Sequence, residues 1–342
     1  GVKQFNNFLP KWRLLLTLPV LILSLAMLHS SLPAQTINPS VTPELILPFG
    51  SFPEVENTGA FLARTGYDED NPEFNLGAVC WDGTSPGIAV VERGASALAT
   101  GASLPAEAHD PDIVFGIGGT HGVVVYKING SIQAQHFTYD PSTTSITLDP
   151  PQTIDDGTHP NIDKQYDCDG ANELVVITYQ TPGNDISYVE GNIYGSFGSP
   201  QVPNPGTNYT QRIRPDVAFL GRKAPGQYVF TYLGLDPNGN WFVDSEIVKG
   251  TLQYISNIPI PKQVIPEDDV HPRIDGVLDD NYGQPLDYFY TIVYEEQNVV
   301  WHGTNSDPFQ DVYQTMENAL PVVAYSADDL DVIWSTNSLY GS

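Results

Sequence analysis

Six copies of a short motif are spread along this chain: Pro53-Glu54-Val55, Pro111-Asp112-Ile113, Pro160-Asn161-Ile162, Pro215-Asp216-Val217, Pro272-Arg273-Ile274 and Pro321-Val322-Val323. Each is a proline, a usually polar residue and a β-branched residue. Successive prolines stand about 50 to 58 residues apart, a period that suits small sheets arranged as propeller blades better than helical repeats. After most copies comes a loop and then a run rich in Val, Tyr and Phe. One such sheet cannot bury both faces alone, so the units must stack on one another. The repeat therefore predicts an all-β chain, a β-propeller of about six blades, over residues 52–342.

The strand content follows the repeat. The first unit, the least regular, offers residues 59–64, 76–81 and 87–92, followed by an Ala/Gly/Ser-rich connection over 94–108. The second offers 113–115, 122–128 and 131–137; the third Ile162, 174–180 and 186–196. The fourth offers 217–220, 227–233 and 241–249; the fifth 274–278, 288–295 and 299–302. Asn-Gly, Asp-Gly, Pro-Gly and Asp-Pro pairs bound many of these runs, which are rich in β-branched and aromatic residues. The sixth unit has room for two strands, 321–325 and 330–335. Either N-terminal strands complete that blade or the sequence is a fragment, since open edges invite aggregation.

Residues 1–34 read as a signal peptide. Lys3, Lys11 and Arg13 precede an apolar run from Leu14 to Leu28, too short for an ordinary membrane span, and small residues lead to Ala34. An uncleaved anchor is the alternative, because Leu32 sits where a small residue is preferred. Residues 35–51 read as a linker or leading strand. The expected location is extracellular or cell-surface, with the periplasm as a variant, and no membrane insertion after cleavage. The net charge is -27, from 41 acidic residues against 14 Lys and Arg. Such a surface repels nucleic acid and anionic membrane and attracts cations. Cys80 and Cys168, the two cysteines, either pair in an oxidising compartment or stay as thiols.

The runs Arg214-Pro215-Asp216-Val217-Ala218-Phe219 and Tyr228-Val229-Phe230-Thr231-Tyr232 resemble those of secreted β-propellers with sialidase-like or related repeats. So do Asp110-Pro111-Asp112-Ile113-Val114-Phe115 and Val123-Val124-Val125-Tyr126. The export signal, acidity and Asn, Asp and Tyr content resemble exported proteins of Bacteroidota. The resemblance implies that the proline-led strand is innermost, beside the central channel. It implies no activity, because this fold hosts unrelated ones. The nearest match to a sialidase Asp-box, residues 236–241, has one residue too many and occurs once.

If the proline-led strands line the channel, the residues before the prolines ring one mouth of it: His109, Asp110, His159, Arg214 and His271. Imidazoles with a guanidinium can grip an anion, and imidazoles alone can hold a transition metal. The competing reading is structural, each side chain capping a turn or bonding the next blade. Asp167, Asp169, Asn172 and Glu173 resemble part of an acidic calcium loop, with a plain solvated turn as the alternative. Asp110 before Pro111 resembles the Asp-Pro opening of five-bladed glycosidases, which would make it a candidate base. No partner glutamate stands out.

No phosphate loop, nucleophile elbow or zinc-protease motif is present. The leading expectation is therefore an exported, non-catalytic propeller that binds a glycan or an extracellular protein. A propeller glycoside hydrolase or lyase, and a structural module of a larger surface protein, are the alternatives.

Overall fold

The computed structural model describes residues 61–64, 76–83, 85–92, 101–116, 118–165, 173–203, 209–219, 228–249, 261–264, 270–279, 287–296, 299–304, 310–314, 319–325 and 330–336. Among them there is no α-helix. The strands form six antiparallel sheets in chain order. The first holds β1 (Phe61–Arg64), β2 (Leu76–Trp81), β3 (Gly87–Glu92) and β4 (Ala102–Ser103). The second holds β5 (His109–Phe115), β6 (His121–Ile128), β7 (Ser131–Asp140) and β8 (Ser145–Leu148), with β9 (Gln152–Asp156) also paired to β7. The third holds β10 (Thr158–Lys164), β11 (Leu174–Gln180) and β12 (Ile186–Asn192). The fourth holds β13 (Gln211–Phe219), β14 (Tyr228–Leu235), β15 (Trp241–Lys249) and β16 (Lys262–Val264). The fifth holds β17 (Arg273–Asp279), β18 (Asp287–Glu296), β19 (Val299–Thr304) and β20 (Gln310–Gln314), and the last β21 (Ala319–Tyr325) and β22 (Leu330–Thr336).

The proline-led strands β5, β10, β13, β17 and β21 lie against one another in that order. The chain is a β-propeller, with these strands innermost. The second strands β2, β6, β11 and β14 are buried on both faces, which explains their unbroken apolar runs. Along β6, Val124 and Tyr126 pack toward the first sheet while Val123 and Val125 pack toward the third. Along β14, Tyr228, Phe230 and Tyr232 join the third sheet and Val229 and Leu233 join the fifth. Strand alternation thus sends neighbouring residues into two different inter-blade cores.

The polar residue of the motif fastens blade to blade. Asp112 accepts a hydrogen bond from its neighbour's N–H, Ile113 (2.8 Å), and a second from the Ile162 N–H of the next blade (2.9 Å). Asp216 does the same with Val217 (2.9 Å) and Ile274 (3.0 Å). Asp163 reaches the Phe219 N–H at 2.7 Å, and Asn161 donates to the Pro215 carbonyl at 2.6 Å. These bonds tie together sheets that share no ladder.

The structure departs from the sequence expectation at the start of the inner strands. β5, β10, β13 and β21 begin before their prolines rather than after them, while β17 begins directly after Pro272. In β5 the pairing steps from His109–Lys127 to Asp112–Val125, so one strand carries an extra residue. The same bulge recurs in β10 between Thr158 and Asn161 and in β13 between Ile213 and Asp216. A proline cannot serve the ladder, and a bulge is where a strand tolerates one. The third sheet's last strand ends at Asn192 rather than 196, because the Asn192 side chain turns the chain by accepting from Tyr194 N–H (2.9 Å).

Candidate functional site at the channel mouth

The bulges decide where the pre-proline side chains go. Asp110, His159 and Arg214 have φ of 51°, 50° and 53°, the left-handed region that non-glycine residues rarely enter. A residue before proline is steered toward extended backbone, so three such residues are costly, roughly 1–3 kcal/mol each. The turn lifts each side chain out of the strand's alternation and aims it at a shared recess. His271, ahead of Pro272 at the equivalent place in the fifth sheet, completes the set.

The recess is narrow, about 20 Å³, and is lined by Asp110, His159, Asn161, Arg214, His271 and Arg273 together with the four motif prolines. The His159 and His271 rings meet edge to face with centroids 5.9 Å apart. These residues come from the third and fifth sheets, which are not neighbours, so the inner strands surround a common centre. Arg273 likewise crosses to donate to the Asn161 side-chain oxygen.

Of the residues singled out from sequence, Asp110, His159, Arg214 and His271 gather here. His109 does not. It lies before the bulge, its side chain 59% exposed and 3.5 Å from Asp82, and so stands outside the ring expected of it. Arg214 partly meets the structural alternative, since it donates to the Val270 carbonyl of the next blade (2.9 Å). Asn161 and Arg273 were read only as the variable polar place of the motif, yet they line the recess. The signal was present, since a period that aligns the pre-proline residues aligns the post-proline residues too.

Burial sets the electrostatics. The His159 imidazole is pushed down to about 3 by desolvation, then by His271 and Arg214, with Lys127 and Arg273 adding to it, so it is neutral at ordinary pH. Asp110 is raised, chiefly by burial, with Lys127 opposing. The Asp112 carboxyl is raised to about 7 by burial, with its bond from Ile162 N–H opposing and Asp216 adding to the rise. Asp216 is also raised by burial, against the attraction of Arg273.

The calcium candidates fare differently. Asp167, Asp169 and Asn172 lie outside the described residues. Glu173 is fully buried, its carboxylate 3.6 Å from the equally buried Lys164 ammonium. Among the described residues no group of three or more His, Cys, Asp and Glu is placed to hold a metal ion. The Cys80 thiol is buried and donates to the Pro111 carbonyl at 3.4 Å, while Cys168 lies outside the described residues. The Asp-box-like stretch is a hairpin turn in which Asp236 accepts from the N–H groups of Asn238 and Asn240, both at 2.8 Å. Among the described residues no helix is long and apolar enough to cross a membrane.

No known sequence family matches the chain, and no characterised relative does. Solved structures are similar in fold. TolB from Acinetobacter baumannii is 15% identical with a TM-score of 0.40 over 72% of this chain and 51% of its own, so the chain spans about half that protein's length. An arginine-to-alanine mutant of AofleA from Arthrobotrys oligospora is 9% identical, with a TM-score of 0.49 over 81% of this chain and 79% of its own. The alpha-L-arabinanase of Penicillium chrysogenum is 10% identical, with a TM-score of 0.46 over 82% of this chain and 94% of its own. Likeness at this level says nothing about activity.

Proposed function

We propose that this chain is a non-catalytic binding propeller that takes a glycan at the channel mouth, and that residues 1–34 direct its export. One observation carries the reading: side chains from equivalent places in four successive blades converge on one recess, three of them held there by strained left-handed backbone. Strain of this kind persists where the surrounding fold over-determines it, and it clusters at sites of use. The recess offers what a polyhydroxylated ligand needs. Guanidinium groups donate, a carboxylate accepts, and the neutral His159 imidazole does both.

The hydrolase alternative needs two carboxyl groups flanking the bond to be cut. Asp110 is the one carboxylate among the described residues lining the recess, which favours binding without turnover.

The test is a glycan array followed by calorimetry on the full chain. Wild type is expected to bind a defined subset of glycans, and His271→Ala and Arg214→Ala to lose that binding while keeping the wild-type circular dichroism. Hydrolysis or elimination of a bound glycan that disappears in Asp110→Asn would overturn the non-catalytic reading. Capture of proteins with no glycan bound would favour a protein partner instead. Export is tested by the mature N-terminus, expected at Gln35.

A further inference from the structure

The recess is too small to take a sugar whole. At about 20 Å³ it has room for one water-sized group, and a pyranose ring is many times larger. Its walls are also stiff. Pro111, Pro160, Pro215 and Pro272 line it, and ring closure locks φ at each of them. Three of the residues before these prolines, Asp110, His159 and Arg214, are already held in left-handed backbone. What enters must therefore be one small projecting group, with the body of the ligand left outside the mouth.

The polar lining divides into groups that build the wall and groups that face what enters. Asn161 uses its amide within the fold, donating to the Pro215 carbonyl at 2.6 Å and accepting from Arg273. Arg214 donates to the Val270 carbonyl. Asp110 and His159 differ. Neither the Asp110 carboxylate nor the His159 imidazole makes a hydrogen bond among the described residues, and the bond from Asp110 to Asp82 is made by its backbone N–H. The two residues stand on β5 and β10, inner strands that pack together.

A carboxylate accepts hydrogen bonds, and a neutral imidazole offers one N–H and one bare nitrogen. A hydroxyl both donates and accepts, so it can satisfy the two at once. A carboxylate or sulfate on the ligand would meet Asp110 as a like charge, and a methyl ether brings it no proton. We propose that the mouth reads one projecting hydroxyl of a terminal sugar residue, inserted end-on, with Asp110 accepting from it and His159 donating to it; this rests on the glycan-binding reading above.

Two consequences separate this from recognition along a chain. A terminal residue carries a hydroxyl where an internal one carries the next sugar, and that hydroxyl projects farthest from the chain. Affinity per molecule should then not rise with chain length. A polar pair left without its partner is costly, so losing that hydroxyl should weigh more than losing any other.

The probes are the methyl glycosides of glucose, galactose, mannose, xylose and arabinose, their mono-deoxy and mono-O-methyl derivatives, and linear oligosaccharides of the same sugars in increasing length. Each is titrated calorimetrically into the full chain. At least one glycoside should bind, and deoxygenation at one position should weaken it at least about tenfold, about 1.4 kcal/mol. O-methylation at that position should cost as much or more. Kd per molecule should stay within about twofold as the oligosaccharide lengthens. Asp110→Gly, which suits a φ of 51°, should bind the parent sugar and its deoxy analogue alike. Should Asp110→Gly fail to fold, the wild-type analogue series decides the matter. Losses spread evenly over every hydroxyl overturn the single-hydroxyl reading, and a deoxy penalty unchanged in Asp110→Gly removes Asp110 from the contact. Affinity that climbs steeply with length, or an array glycan whose terminal sugar does not bind as its methyl glycoside, overturns end-on entry. Each of these leaves the glycan reading standing. Silence from every probe and from the glycan array overturns both.

Discussion

His159 makes the sharpest prediction, because its cost to stability has a definite pH window. In the unfolded chain its imidazole titrates near 6.5, and in the fold it is held to about 3. The folded value is the lower one. Stability is therefore free of this cost above pH 6.5 and is lost as pH falls from 6.5 toward 3, where only the unfolded chain takes up the proton. Between pH 7.5 and 5 the loss comes to about 2 kcal/mol as an upper figure, since His159 is only half-buried and solvent screens part of it. Asp112 works in the opposite direction. Its folded value of about 7 exceeds the ordinary one, so its cost appears as pH rises from about 4 to 7. The two slopes oppose each other, and the wild-type profile alone would hide both. Urea denaturation of wild type and His159→Asn at pH 5, 6, 7 and 7.5 separates them. The variant should gain on wild type by about 1–2 kcal/mol as pH is lowered across this range. Stability curves parallel within about 0.5 kcal/mol would refute the picture of a desolvated, positively surrounded imidazole.

Two structural predictions accompany the binding tests. Removing the carboxylate in Asp216→Ala leaves the N–H groups of Val217 and Ile274 without that acceptor and strips a buried counter-charge from Arg273, so it should cost about 3 kcal/mol or more by urea midpoint. A cost below about 1 kcal/mol would mean that the inter-blade fastening is dispensable. Gly122 pairs with Phe137 across the β6–β7 ladder, and a Cβ there would strike the Phe137 ring and come within 2.6 Å of the Val114 carbonyl. Gly122→Ala should thus destabilise by about 1–3 kcal/mol, seen as an earlier thermal transition, and Phe137→Leu in the same chain should recover part of it.

The motif period was enough to read the blades from sequence, because a strand buried on both faces must be apolar at every place. Val123-Val124-Val125-Tyr126 and Tyr228-Val229-Phe230-Thr231-Tyr232 announce themselves for that reason. The fourth strands, such as Ser145–Leu148 and Lys262–Val264, did not, since short outer strands carry little apolar pattern. The period also placed Asp110, His159, Arg214 and His271 at equivalent positions. It could not say where their side chains point. That direction depends on φ at a bulge, which is set by pairing with a strand some 20 residues away and not by the local sequence. Hence His109, one residue before Asp110, faces solvent while Asp110 faces the recess. The sequence likewise showed Asn161 and Arg273 only as variable letters of a repeat. Their meeting across the channel, and the burial that shifts His159 and Asp112, arise when non-neighbouring blades are brought together. Electrostatic coupling of that kind depends on distance through space, which spacing along the chain does not encode.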